Sequence, residues 1–313
     1  MNTVRIGQTG LHTSRLAYGC MRIAKPGPKG LGRAAREAAH QAVIAAYEAG
    51  YTLFDHADIY ARGASETLYG EVLAQVPAMR RDCAVATKCG IRWAGDPGPQ
   101  APHRYDLGAA HIVWSCEQSL TRLGLDTIDI FQLHRPDVLM DPDEVGEAFL
   151  TLHAAGKVRY FGVSNFLPST VAALQAGLPF PLAVNQVEIH PGRLDCFVDG
   201  TLDQCLEQGM TPLAWSPLGG GLFGEGGTVP DDHPQRDGLL TLLRELDEVA
   251  AAHHVTRTEA TLAWLLKHPS GIVPIVGSAN PERIRRAAHA DAVELSREEW
   301  YRIYVAARMK PLP

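Results

Sequence analysis

The chain has 313 residues, 46% hydrophobic and 20% charged, with a formal net charge of −6. Length and apolar content suffice for a large core and exclude a compositionally disordered chain, and the acidic balance excludes the broad basic footprint of a duplex-binding protein. No run of about 18 apolar residues occurs, and MNTVRIGQTGLHTSRL lacks the apolar core of a signal peptide, so the expectation is a cytoplasmic protein with neither membrane nor nucleic acid as partner.

No Ser-, Gly- or Pro-rich linker divides the sequence, and a single domain over 1–313 is expected. VRIGQTGLHTSRL alternates about Thr9-Gly10 as a hairpin does and leads into the apolar strand LAYGC; the hairpin is placed to plug a barrel bottom. A helix from about Arg33 to Ala49 is closed by Gly50, then follow the strand TLFD, a helix after Ser65, the strand CAVATK, a helix over Ala109 to Leu123 closed by Gly124, and IDIFQLH. The alternation continues with Pro142 to Ala155 before RYFGVS, Pro168 to Gly177 before LAVNQVE, and Leu202 to Gly209 before TPLAWSP. One long helix with its extension, Gly238 to His268, precedes GIVPIVG, then come Pro281 to Ala290 and an extra helix from Ser296 to Arg308 opened by the capping-box pattern S-R-E-E. Eight strand-helix units predict an α/β fold, a (β/α)8 TIM barrel with an N-terminal β-hairpin and an extra C-terminal helix. An open doubly wound sheet would carry a Gly-rich phosphate turn after an early strand, and AYGCMRIAKPGPKG does not match one. The six cysteines contain no C-x-x-C pair and fall mostly in apolar segments, as reduced structural thiols do.

Asp55 and Tyr60 in FDHADIY, Lys88 in VATKCG and His134 in FQLHRPD follow three consecutive strands, which span only about 10 Å of the catalytic rim. Each alone has an ordinary reading, as a helix cap, a rim aromatic, a solvated charge or a core histidine. Four different titratable types at one structural position suggest a shared site. The lysine is placed to lower the tyrosine's pKa, the aspartate to hold the lysine, and neutral His134 to donate a hydrogen bond to the oxygen that Tyr60 protonates; that is chemistry for carbonyl reduction.

The order D-x-A-x-x-Y, T-K, H-R-P-D, G-V-S-N-F, N-Q-V-E, W-S-P-L-G-G-G and I-V-G-S-x-x-P-E-R resembles the aldo-keto reductases along most of the chain, most closely the bacterial YdhF-like subgroup. The resemblance implies a barrel that binds extended NADPH without a Rossmann domain and reduces aldehydes or ketones. Asp55, Tyr60, Lys88 and His134 match its catalytic tetrad, with Tyr60 as proton donor. Ser164, Asn165 and Gln186 match contacts to the nicotinamide carboxamide, and Trp215 the aromatic that stacks on the ring. Ser216, Leu218, Gly219 and Gly221 belong to the loop over the pyrophosphate, where free N–H groups are expected to face phosphate oxygens. Gly277, Ser278 and Arg283 match the end that takes the adenosine 2′-phosphate, helped by the N-terminus of the helix from Pro281. Gly19, in the first barrel strand, Met21, just past it, and Asp55 complete the expected cofactor contacts. Gly277 stands where many members carry Lys, so NADH is a second possible cofactor, and RIRRAAH lacks the usual Glu-Asn ending.

The partner expected is a small carbonyl substrate, in a cleft left open by the short tail after Arg308, with Met21, Ile59, Trp93 and Phe223 as apolar lining. No metal is expected. A metal hydrolase would want converging ligands such as H-x-H, which LAYGCM lacks. Two rivals stand beside the reductase. One is a Schiff-base aldolase using Lys88, which needs a neutral lysine that Asp55 disfavours; the other is a non-catalytic NADPH-binding regulatory subunit, against which the intact tetrad argues. The sequence carries no sign of oligomeric state.

Overall fold

The computed structural model describes residues 1–24 and 31–313, so part of the turn judged above against the phosphate fingerprint lies outside the described residues. The chain opens on the antiparallel hairpin β1 (Thr3–Arg5) and β2 (His12–Ser14), with Thr3 opposite Ser14. Then follow β3 (Ala17–Gly19), α1 (Arg33–Glu48), β4 (Leu53–Asp55), α2 (Ala64–Gln75), α3 (Pro77–Asp82) and β5 (Ala84–Cys89). After a small antiparallel pair, β6 (Ile91–Arg92) and β7 (Arg104–Tyr105), come α4 (Ala109–Leu123), β8 (Ile128–Leu133), α5 (Pro142–Ala154), β9 (Val158–Ser164), α6 (Pro168–Ala176) and β10 (Val184–Glu188). The last third holds α7 (Thr201–Gln208), β11 (Thr211–Trp215), α8 (Arg236–Ala252), α9 (Arg257–Leu266), β12 (Val273–Val276), α10 (Pro281–Ala287) and α11 (Arg297–Arg308). Strands β3, β4, β5, β8, β9, β10, β11 and β12 close in that order into a parallel barrel, the eight strands expected from the sequence.

Side chains alternate along each strand, so every second residue faces the lumen. At the strands' N-terminal ends the lumen is apolar, filled by Ala17, Leu53, Ala84, Ile130, Leu213 and Val273. Toward their C-terminal ends the same faces carry Asp55, Lys88, Gln132, Ser164 and Gln186, all buried. This gradient places the polar chemistry at one rim. Outward-facing residues such as Phe54, Phe131 and Phe161 pack under the helices, with Phe161 stacked on Phe149 of α5 at 4.1 Å.

The hairpin does close the barrel bottom. Ile6, between its strands, is fully buried among the apolar lumen residues, and Gly7 N donates to Thr211 Oγ1 at 2.8 Å. Gly7 has φ +53°, and a Cβ there would lie 2.6 Å from Ala183 O. Ile6→Ala is expected to cost about 2–5 kcal/mol, measured as a lower denaturant midpoint with the slope unchanged.

One expected element divides. The long helix to His268 is broken at residues 253–256 into α8 and α9, because Thr256 caps α9 through a reciprocal capping box with Glu259 and His254 takes φ +55°. α11 begins after Ser296 with the expected capping box and docks through Trp300, which stacks on Trp264 at 5.3 Å; each indole N–H donates to the other residue's carbonyl. All six cysteines are buried and unpaired. Among the described residues no helix is long and apolar enough to cross a membrane.

Candidate active site

Asp55 ends β4, Lys88 is the next-to-last residue of the neighbouring strand β5, and His134 follows β8, the next strand round. Lys88 Nζ lies 2.7 and 2.8 Å from the two Asp55 oxygens, 2.7 Å from His56 O and 3.4 Å from Tyr60 Oη. Both members of the Asp55–Lys88 pair are buried. An ammonium has donors only, so Tyr60 accepts from it and its own proton is free to point elsewhere. The Tyr60 ring meets His134 edge-on at 5.9 Å.

The electrostatics reverse one expectation. Burial pushes the Tyr60 phenol above its ordinary value; Lys88 pulls downward without overcoming it, and Asp55 adds to the rise. Tyr60 is therefore held firmly protonated rather than made unusually acidic. That still suits a donor to a forming alkoxide, a far stronger base than a phenolate. Burial lowers the Lys88 ammonium, but Asp55 and Tyr60 outweigh it and the group ends raised, so it stays charged. Burial, then Lys88 and Arg135, hold His134 well below the usual imidazole range, so it is neutral, as expected.

A cavity of about 490 Å³ runs from Tyr60 and His134 to Ser278 and Arg283. Every residue predicted for the site lines it except Lys88, which lies beneath Tyr60, and Gly219, which turns toward the Phe223 ring. Asn165 Nδ2 donates to Ser164 Oγ at 2.8 Å and its Oδ1 accepts from Trp215 Nε1 at 2.9 Å, so three residues from two strand ends are locked together. Asn165 and Ser216 hold φ of 62° and 50°, strain of the kind that collects at functional sites. Gln186 Nε2 donates across the lumen to Asp55 Oδ1 at 2.8 Å, a contact its motif did not announce.

The profile of the Aldo/keto reductase family matches residues 15–307. The chain belongs to the aldo-keto reductase family. It is 42% identical to a 6-dehydroglucose reductase of Novosphingobium aromaticivorans over 99% of this chain and 96% of that one, and 43% identical to the Escherichia coli oxidoreductase YdhF over 82% and 83%. The solved structure of the glycerol dehydrogenase of Gluconobacter oxydans is 25% identical and superposes with a TM-score of 0.83 over 99% of this chain and 97% of that one.

Within this aldo-keto reductase several finer expectations change. The Gly219 and Gly221 amides close their own turn, donating to Ser216 O and Leu218 O at 2.8 and 3.0 Å, so they are not the free N–H groups expected. The first amides of α10 are likewise taken, because Asn280 Oδ1 accepts from Glu282 N and Arg283 N. What this end of the cavity offers an anion is the Arg283 guanidinium, which makes no ion pair among the described residues, whereas Arg286 is held by Glu225 at 2.8 Å. A Cβ on Gly277 would meet nothing within 4 Å among the described residues, so the cavity is open at this position. Of the apolar lining expected, Met21 and Ile59 face the cavity; Trp93 instead lies exposed under Arg62, and Phe223 is buried in the core beside α8 and α9. Arg135, missed in the sequence, lines the cavity with its guanidinium 5.6 Å from the Trp215 ring; a cation directly after a rim histidine was the available signal. His56, next to Asp55, is a fully buried imidazole packed on Tyr69, with neither ring nitrogen partnered among the described residues and its pKa pushed down by burial to about 3.

Proposed function

We propose that this aldo-keto reductase is an NADPH-dependent enzyme that reduces aldehydes or ketones to alcohols, with Tyr60 as general acid. The observation that carries the reading is Lys88 Nζ donating to Tyr60 Oη above a buried Asp55, with neutral His134 beside them, at one end of a cavity whose other end presents the Arg283 guanidinium, free of ion pairs among the described residues. The residues fit a dinucleotide. The Ser164–Asn165–Trp215 cluster and Gln186 suit a carboxamide-bearing ring, Gly220 and Gly221 leave room for close approach, and Arg283 suits a phosphate. When bound, the reduced nicotinamide supplies the hydride. His134 then holds the substrate oxygen, Tyr60 gives it a proton, and Lys88 stabilises the phenolate left behind until solvent returns the proton.

The raised Lys88 speaks against a Schiff-base aldolase, which needs a neutral amine, and an intact tetrad against a purely regulatory subunit. Because a relative of about two-fifths identity along almost the whole chain is named a 6-dehydroglucose reductase, 6-dehydroglucose is the first carbonyl to assay. The test is loss of NADPH absorbance with 6-dehydroglucose and with a panel of other aldehydes and ketones. Consumption matched by alcohol supports the reading, and none with any of them overturns it. Arg283→Ala is expected to weaken NADPH by about 1.5–3 kcal/mol, roughly 10- to 150-fold, while changing NADH little, as measured by titration of each cofactor. Equal weakening of both would remove Arg283 from the 2′-phosphate.

A further inference from the structure

Three successive residues after Tyr60 have positive φ: Ala61 at 49°, Arg62 at 56° and Gly63 at 86°. Two carry side chains, so the turn that presents Tyr60 is strained and persists only because its surroundings hold it. On the barrel side, the backbone N–H groups of His56 and Asp58 donate to Ala86 O and Lys88 O at 2.8 and 3.0 Å. On the outer side the hold comes from α4. Ser115 Oγ, fully buried, donates to Asp58 Oδ2 at 2.6 Å, and Arg122 crosses beneath Gly63, where a Cβ would meet its side chain at 2.6 Å, to reach Glu66. Asp58 Oδ1 is buried without a partner among the described residues.

We infer that Asp58 is a positioning residue for carbonyl reduction: its carboxylate, bound by Ser115 of α4, pins the strained turn that sets Tyr60 against Lys88. The inference rests on Tyr60 being the proton donor. Asp58 touches neither Lys88 Nζ nor the Tyr60 hydroxyl among the hydrogen bonds of the site, so it acts through the turn.

Its charge state supplies a distinctive readout. Burial raises the Asp58 carboxyl to about 7; the Ser115 hydroxyl and the Ile59 amide oppose this, and of the charged groups facing it Glu66 of α2 raises it further while Arg122 of α4 lowers it. Cys89 of β5, which also feels Asp58, is a thiol pushed well up by burial and stays neutral. His134 lies well below that range, and Tyr60 and Lys88 are raised. A carboxylate accepts hydrogen bonds more strongly than the acid, so the ionised form pins the turn. For stability the sign is opposite. The folded pKa lies above the unfolded one, so the contribution of this group is full below about pH 4 and is lost as pH rises through about 7.

The test is kcat and KM against pH with NADPH and 6-dehydroglucose for wild type, Asp58→Asn and Ser115→Ala, with thermal melts of the same proteins without cofactor. Wild-type kcat is expected to fall about tenfold as pH drops through about 7, with NADPH affinity unchanged. Asp58→Asn should be flat at the low level and gain in melting temperature over wild type as pH rises. Ser115→Ala, which keeps the carboxyl but removes a bond that lowers its pKa, should move the inflection to higher pH, and it carries the test if Asp58→Asn does not fold. An inflection that survives Asp58→Asn, or stays in place in Ser115→Ala, overturns the inference. Tyr60→Phe measured alongside separates the two readings: full activity in that variant condemns the proton donor itself, whereas an inactive one leaves any failure with Asp58.

Discussion

Tyr60→Phe is expected to lower kcat for carbonyl reduction by about 100- to 10,000-fold, the usual span for removing a general acid. The ring and its edge contact with His134 remain, and Lys88 loses only its longest hydrogen bond while keeping Asp55 and His56 O. Fold and cofactor affinity should therefore be close to wild type, and the loss should fall on kcat rather than on KM for NADPH. Steady-state kinetics together with fluorescence titration of NADPH separate the two quantities. The raised phenol adds a pH signature. Because the acid form is the active one in reduction, wild-type activity should persist well into alkaline solution and fall only as pH passes the raised Tyr60 value. Comparable turnover by the variant would take Tyr60 out of its role.

Lys88→Met is expected to act on both activity and stability. Methionine fills the volume of the stem but leaves Asp55, 4% exposed, without its buried counter-charge and with Gln186 as its remaining partner. Breaking a buried pair from one side costs about 3–5 kcal/mol, so the variant should unfold at clearly lower denaturant, while kcat falls at least as far as in Tyr60→Phe because the phenolate left after proton transfer has lost its cation. A double variant, Lys88→Met with Asp55→Leu, separates the effects: stability should recover and activity should not. Recovery of both would mean that the pair is structural only. Since neither side chain reaches the Arg283 end of the cavity, NADPH affinity should change little in the single variant.

Much of this was legible in the sequence because each signal was local. Strand-length apolar runs alternating with helices stopped by glycines, as at Gly124 with φ 66°, are enough to specify eight βα units and so the barrel. The meeting of Asp55, Tyr60, Lys88 and His134 was legible for the same reason, since residues at strand ends and in the loops that follow must sit on the rim. What sequence could not supply was competition for donors and acceptors. The motifs place Gly219, Gly221 and α10 near phosphate, but only coordinates reveal that two glycine amides close their own turn and that Asn280 already caps the helix. The break between α8 and α9 hid inside an apolar pattern that continues through it, although T-R-T-E at Thr256 spelled a capping box. The sign of the Tyr60 shift depended on the balance between burial and one cation, and burial has no sequence signature of its own. Trp93 was misplaced because strand periodicity carries no information about how a fifteen-residue excursion such as Ile91 to Tyr105 folds; it forms its own small hairpin, stapled by Arg92 to Asp96 and Asp106.

The most direct measurement of the central claim follows the hydrogen itself. NADPH carrying deuterium on the transferred position of its nicotinamide ring is incubated with the wild-type chain and a carbonyl compound that the absorbance assay shows to be consumed, and the product is analysed by mass spectrometry and proton NMR. Deuterium on the former carbonyl carbon, one per NADPH consumed, with its rate of appearance lowered about 100- to 10,000-fold when Tyr60→Phe replaces the wild type, is the predicted result. An alcohol without the label, or label transfer undiminished in Tyr60→Phe, would contradict the account.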